Sequence, residues 1–569
     1  LYRAVRDDAM RLLEGDQSAA APEWQRVLYV LLKKKPPDDP RLVGQRREIA
    51  LMPQDMKLFL QMLKLAVYRR VACRVCDAQL GWSPGYGCTD ACMTLQALVQ
   101  QARRLGLDMY ILFLDLAQFF PRVQRRLATV GEMLQGLPED VARLALLLYG
   151  GYRGDPRATK CQFDSAAGLS APFSNWMGWL MGCVLSPDKS RLLLNSIAIA
   201  IRAKAKGVRL WGFDDPRGPS SEQAAVAWWA IEQLLFGDDW CGVFSSASEV
   251  TKAWEMWRAW EAITGSKIGV KALRKTVLTG VGWRDGKPTT LFDPQLQLKG
   301  GGCVPMLPYD EAYTYLGRAT RADGVDSTAW LALRRKFKKM DRRLARIKPN
   351  AVTQGEFNML ADLLYGGLAG FYLQVQYVSF EQAESIERGY RRLFKRRFGL
   401  CESTPSATFY TDASSSASGK SGRTHVWGVG LSALHGGVER AMADVHDTPQ
   451  RAAMRSMVAL TLERAGCWED PARGGTPTTW ARRWKRSCAA AAVATWATRG
   501  CLPTYSSRVH HGRRSARRTP SAMPKRRRLE GGRRLRTGSL GTRYTTGPST
   551  LMRPTRPCSS RRRSAVGSA

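Results

Sequence analysis

Phe236-Gly237-Asp238-Asp239-Trp240 places two adjacent carboxylates at a glycine turn between the largely apolar run Ile231 to Leu235 and a second run, Cys241 to Phe244. This pattern predicts a hairpin that offers acid side chains to a divalent cation. A third acid, Asp115, ends the apolar run Met109-Tyr110-Ile111-Leu112-Phe113-Leu114, which reads as a buried strand. Two strands delivering aspartates to one spot could hold two Mg²⁺ ions, or Mn²⁺ in their place, and clamp the attacking and leaving oxygens of a phosphoryl transfer. The chemistry of such a set is nucleotidyl transfer. A second acidic pair, Asp214-Asp215, is followed by Pro216 and Arg217-Gly218-Pro219 instead of a strand, and reads as a solvated loop.

Elements on either side must bring these acids together. Val27-Leu28-Tyr29-Val30-Leu31-Leu32 closes on Lys33-Lys34-Lys35 and the turn Pro36-Pro37-Asp38-Asp39-Pro40; Arg46-Arg47-Glu48-Ile49-Ala50-Leu51 follows. Two strands with cationic ends joined by a polar turn suit a flap over a triphosphate, and suit a basic surface hairpin equally well. Asp55 to Val75 has amphipathic helical spacing, Gly81 to Gly87 is a loop, and Thr89 to Leu105 reads as a second helix capped by Thr89. Cys73-x-x-Cys76 and Cys88-x-x-x-Cys92 have spacings that zinc could use, but all four continue helical patterns and read as buried free thiols.

The chain has 569 residues, enough to bury large cores without disulfide staples. Its formal charge of +38 implies a polyanionic partner. Beyond residue 470, 24 Lys and Arg stand against one acid, Glu530, so that stretch carries +23 and the first 470 residues +15. Even the part with globular composition is basic, as a template-binding groove requires. Thirteen scattered cysteines without a secretory leader predict a reducing, intracellular setting, nuclear or cytoplasmic. No apolar run reaches the roughly 18 to 20 residues that span a bilayer. The start at Leu1 is what a piece of a longer reading frame would show.

In order, a basic hairpin with Arg-x-Ile-x-Leu, a glycine-rich loop with Thr89-Asp90-Ala91, an Asp115 strand running to Phe119-Phe120, the loop Met181-Gly182-Cys183-Val184-Leu185-Ser186-Pro187 and the Asp238-Asp239 hairpin resemble reverse transcriptases, most closely those of non-LTR retrotransposons. The resemblance covers about residues 27 to 317 and implies an α+β right-hand polymerase with fingers, palm and thumb. It implies Asp115, Asp238 and Asp239 as Mg²⁺ ligands, Phe120 as the ring that excludes a ribose 2′-hydroxyl, and Arg47 as a triphosphate contact aided by one of Lys33 to Lys35. Gly182 falls in the loop supporting template and incoming nucleotide, Lys275 in a motif whose lysine protonates the leaving pyrophosphate, and Tyr315-Leu316-Gly317 in a hairpin gripping the primer. The implied partners are an RNA template, a DNA primer and dNTPs. Met181 stands where the family usually has Gln, Val184 where it has Pro, and Pro121 where an aspartate is common, which puts template positioning in doubt.

Residues 1–317 are thus expected to form fingers and palm, and 318–400 a helical thumb in which Arg334-Arg335-Lys336-Phe337-Lys338-Lys339 interleaves basic and apolar positions. Residues 405–466, with Phe409-Tyr410-Thr411-Asp412 and Gln450-Arg451-Ala452-Ala453, resemble the start of a ribonuclease H domain. Ala453 stands where that family has glutamate, so the module reads as vestigial. Residues 467–569 read as a disordered basic tail, either nucleic-acid-binding or the product of a frameshift. Two rivals accompany the leading expectation of RNA-directed DNA polymerase: a viral-type RNA-dependent RNA polymerase, and a decayed retroelement product that binds nucleic acid without catalysis.

Overall fold

The computed structural model describes residues 26–33, 46–72, 75–149, 160–165, 168–175, 177–210, 229–269, 275–348, 350–376 and 378–404, together with Asp7, Arg11 and isolated positions between 426 and 457. Asp214-Asp215, the ribonuclease H-like stretch at 409–414 and the basic tail lie outside the described residues.

The strand Met109–Leu114 sits inside the main sheet, with Asp239–Phe244 antiparallel on one side and Val277–Arg284 antiparallel on the other. Gln233–Phe236 continues the sheet beyond Asp239–Phe244, and Lys287–Thr289 and Met306–Leu307 flank the opposite side. All six side chains of Met109–Leu114 are buried because both faces are covered. Met109, Ile111 and Phe113 pack with Cys241, Val243 and the helix Cys88–Leu105, contributing Leu95, Leu98 and Val99. Tyr110, Leu112 and Leu114 face the other way, toward Trp240, Phe244 and the helices Ser186–Lys204 and Ala247–Thr264, which supply Leu192, Trp254 and Trp257. This two-sided burial explains why the strand reads as an unbroken apolar run and not as an alternation.

The basic hairpin forms as its sequence suggests: Arg26–Lys33 pairs antiparallel with Arg46–Leu51 and parallel with Lys160–Ser165. The helix expected from Asp55 starts at Gln54 and passes through a π turn, Lys64–Tyr68, before a last turn at Arg69–Ala72. Tyr68, on that π turn, donates to Glu132 at 3.0 Å, and Lys189 pairs with the same carboxylate at 2.6 Å. The three buried groups join three segments beneath the Gly182 loop.

The second helix begins at Cys88 and its cap differs from the expected one. Asp90, not Thr89, reaches back, its Oδ2 accepting from the Gly87 N–H at 2.6 Å. Beyond the sheet, Ser327–Ala345, Gln354–Tyr372 and Phe380–Arg397 form a three-helix layer around Leu333, Phe337, Phe357, Tyr365 and Tyr390. Thr353 with Glu356, and Ser379 with Gln382, cap the latter two helices reciprocally. On the first, Arg334, Arg335, Lys338, Lys339, Arg342 and Arg343 all remain exposed, a cationic face opposite the Leu333 and Phe337 seam. Among the described residues no helix is long and apolar enough to cross a membrane.

Candidate active site

Sheet register brings the acids to one end of the sheet. Leu114 lies opposite Trp240, so the next residues, Asp115 and Asp239, neighbour one another; Phe113 lies opposite Val277, which sets Lys275 across from Asp115 on the other side. The Lys275 ammonium is 3.1 Å from both carboxylate oxygens of Asp115. Asp115 is also fixed through its backbone. Its carbonyl accepts from Gly269 N–H at 2.7 Å, and its N–H donates to Thr276 Oγ1 at 3.3 Å.

Asp238 and Asp239 sit at the other half of the site because Gln233–Phe236 and Asp239–Phe244 pair directly, Asp239 opposite Phe236, leaving Gly237-Asp238 as a two-residue connection. Gly237 has φ +69°, the conformation glycine adopts at least cost. The turn is clasped from outside. Leu80 and Gly81 N–H groups donate to the Leu235 carbonyl at 2.8 and 3.2 Å, and Leu235 N–H donates to Ala78 O at 2.8 Å. Buried Gln79 accepts from Gly237 N–H at 3.2 Å and donates to Gly237 O at 3.4 Å. Gln79 was not among the residues the sequence singles out; a glutamine beside a glycine-rich loop carries no signal until its partner turn is known.

Burial pushes the Asp238 carboxyl up to about 6, reinforced by Asp239 and then by Asp115, while Lys275 opposes the rise. Asp239 also lies above the usual carboxylate range, through desolvation and Asp115. Two carboxyls raised by burial and by neighbouring acids mark excess negative potential, which a hard divalent cation relieves. Among the described residues, however, no three His, Cys, Asp or Glu side chains are gathered as a finished metal-binding group. The donor chemistry fits a divalent ion, and in this structure Lys275 is the cation on Asp115.

Two expectations follow from these shifts. A carboxyl raised in the folded state contributes stability below its unfolded pKa, near 4, and loses that contribution as pH rises through about 6. Asp238→Asn should therefore stabilise the metal-free protein on the order of 1–2 kcal/mol at pH 8 and by nothing at pH 4, compared through urea midpoints. Lys275→Met should move the Asp238 titration to still higher pH, because it removes the group that holds it down; carboxyl ¹³C shifts against pH would show it.

Phe120 lies on the short helix Phe119–Arg122, just past Asp115. Its ring stands edge-on to Trp179 at 6.3 Å and to Trp82 at 6.1 Å. Gly182 has φ +117°, and a Cβ there would lie 2.6 Å from the Ala50 carbonyl oxygen; the neighbouring Met181 carbonyl accepts from Ala50 N–H at 2.6 Å. The loop is thus bonded to the strand that carries Arg47, where that side chain is exposed and, among the described residues, no contact ties it to the carboxylates. Gly182→Ala should cost about 2–3 kcal/mol, from a forbidden conformation plus the collision, readable as a lowered urea midpoint.

The hairpin Tyr313–Tyr315 and Arg318–Thr320 turns through Leu316 at φ +46° and Gly317 at φ +86°. Its tip is fastened to the three-helix layer, Lys336 Nζ donating to Gly317 O at 2.9 Å. Tyr315 is 4% exposed, its ring tilted against Phe113 at 5.5 Å; Leu316 packs partly against the same core and Gly317 is exposed. Tyr313 instead approaches the site, its hydroxyl donating to Lys275 O at 2.8 Å. Among the described residues Cys76, Cys88 and Cys92 are free thiols, and burial pushes Cys92 up to about 12; Cys73 lies outside those residues.

No family model matches the chain, and no curated protein matches it. Among solved structures, the chain is similar to telomerase from Candida albicans in complex with a TWJ fragment of telomeric RNA, at 10% identity over 68% of this chain and 64% of that one, TM-score 0.33. It is similar to telomerase from Candida tropicalis in complex with the same kind of fragment, at 11% identity over 82% and 65%, TM-score 0.36. The apo Candida tropicalis enzyme aligns at 10% identity over 82% and 68%, TM-score 0.35. The chain spans about two thirds of each of those chains.

Proposed function

We propose that the chain is an RNA-directed DNA polymerase of the retroelement type, adding dNTPs to a primer 3′-hydroxyl on an RNA template. The observation that carries this reading is the sheet register that sets Asp115 beside Asp239, with Asp238 in the adjoining turn and its carboxyl pushed up to about 6 by burial. Asp115, Asp238 and Asp239 would hold Mg²⁺ or Mn²⁺, which when bound supplies charge neutralisation for the phosphoryl transfer. Phe120 would press against the sugar where a 2′-hydroxyl has no room. Lys275, half-exposed beside Asp115, would deliver a proton to leaving pyrophosphate. The exposed cationic face of Ser327–Ala345 would follow the phosphate backbone of the template and primer duplex.

The test is extension of a DNA primer on an RNA template by the full chain with dNTPs and Mg²⁺. Extension supports the reading; its absence with either Mg²⁺ or Mn²⁺ would end it. A second reading has its own observation: Lys275 engages both oxygens of Asp115, and among the described residues no metal-binding group is already gathered. On that reading the chain binds nucleic acid through its basic surface without turnover. RNA binding that weakens steeply with salt, with no cation-dependent synthesis, would establish it.

A further inference from the structure

We propose that Trp82 is a positioning residue for sugar selection, acting through the ring of Phe120. This deepens the polymerase reading and rests on it. Trp82 has φ +56°, a strained conformation for a bulky residue, and 43% of its surface is exposed. Neither property serves a core. Its indole rests on the acid turn: a Cβ at Gly237 would lie 2.9 Å from Trp82 Cη2, so only glycine leaves the ring its seat.

From that seat Trp82 meets Phe120 edge to face, at an interplanar angle of 85°. Phe120 has two other aromatic neighbours, Phe119 and Trp179, both buried. Trp82 is the one of the three on the solvent side, next to Asp238. The backbone bonds from Leu80 and Gly81 to Leu235, and the Gln79 bonds to Gly237, tie the loop carrying Trp82 to the acid turn. The wall that stops Phe120 from swinging outward is therefore fixed to the same hairpin that presents the acids. Removing the indole opens a second rotamer to Phe120, and a ring that can yield no longer excludes a hydroxyl.

The experiment compares kcat/KM for a dNTP and the matching NTP in parent, Trp82→Ala, Phe120→Val and the double variant. In Trp82→Ala the dNTP-to-NTP ratio is expected to fall about tenfold, and in the double variant to fall no further than in Phe120→Val alone, since both act through one ring. A ratio unchanged in Trp82→Ala, with both nucleotides slowed alike, would overturn the assignment and leave the polymerase reading standing. A parent that adds no nucleotide would overturn both. Should Trp82→Ala fail to fold, Trp82→Phe, which keeps an aromatic edge but withdraws the larger ring from Gly237, is expected to lower the ratio about threefold; an unchanged ratio there also overturns the proposal.

Discussion

Asp238→Ala should lower RNA-templated dNTP incorporation about a thousandfold or more, while RNA binding at fixed salt stays within about threefold of the parent. The contrast is expected because the proposed reading puts the two properties on different parts of the chain. Asp238 occupies the turn between two paired strands and shares its field with Asp239, Asp115 and Lys275. The cationic residues are spread over the helix Ser327–Ala345, far along the sequence. Removing a carboxylate from the turn takes away an oxygen donor that the proposed divalent ion would use, yet leaves the sheet intact because the paired residues begin at Phe236 and Asp239. Glu255→Ala, an exposed acid on the helix Ala247–Thr264, is the matching control and should change neither property. Full activity in Asp238→Ala would remove that acid from the site.

Phe120→Val should lower the preference for dNTPs over NTPs about a hundredfold. Phe120 is packed edge-on between Trp82 and Trp179, so its ring has little freedom, and on the proposed reading a ring held this way would reject a hydroxyl sterically. Valine keeps the apolar surface and removes the outer ring atoms. The gain should therefore appear as faster NTP use, not only slower dNTP use. Unchanged sugar preference would reduce Phe120 to a core residue beneath the site.

Much of the acid half of the site was legible before any coordinates. An apolar run ending in Asp115 and a Gly-Asp-Asp between two apolar runs each have a local signature, and the strands form there. Their adjacency was not legible from spacing, since 123 residues separate Asp115 from Asp238; only the order of motifs suggested it, and sheet register supplies the physical reason. Three features escaped for the same cause. The Asp115–Lys275 pair, the Gln79 clasp and the Trp82 contact are all long-range, and nothing local announces which residue pairs with which. The packing of Tyr315 on Phe113 is long-range in the same way.

The alternation of Met109–Leu114 between two hydrophobic layers has one more consequence. Sliding this strand by a single residue would send Ile111 and Phe113 into the layer shaped for Tyr110 and Leu112, and the reverse, on both faces at once. The strand thus works as a ratchet with one seat, and a lost or gained codon between Met109 and Leu114 should be far more damaging than one in the turn at Asp285-Gly286.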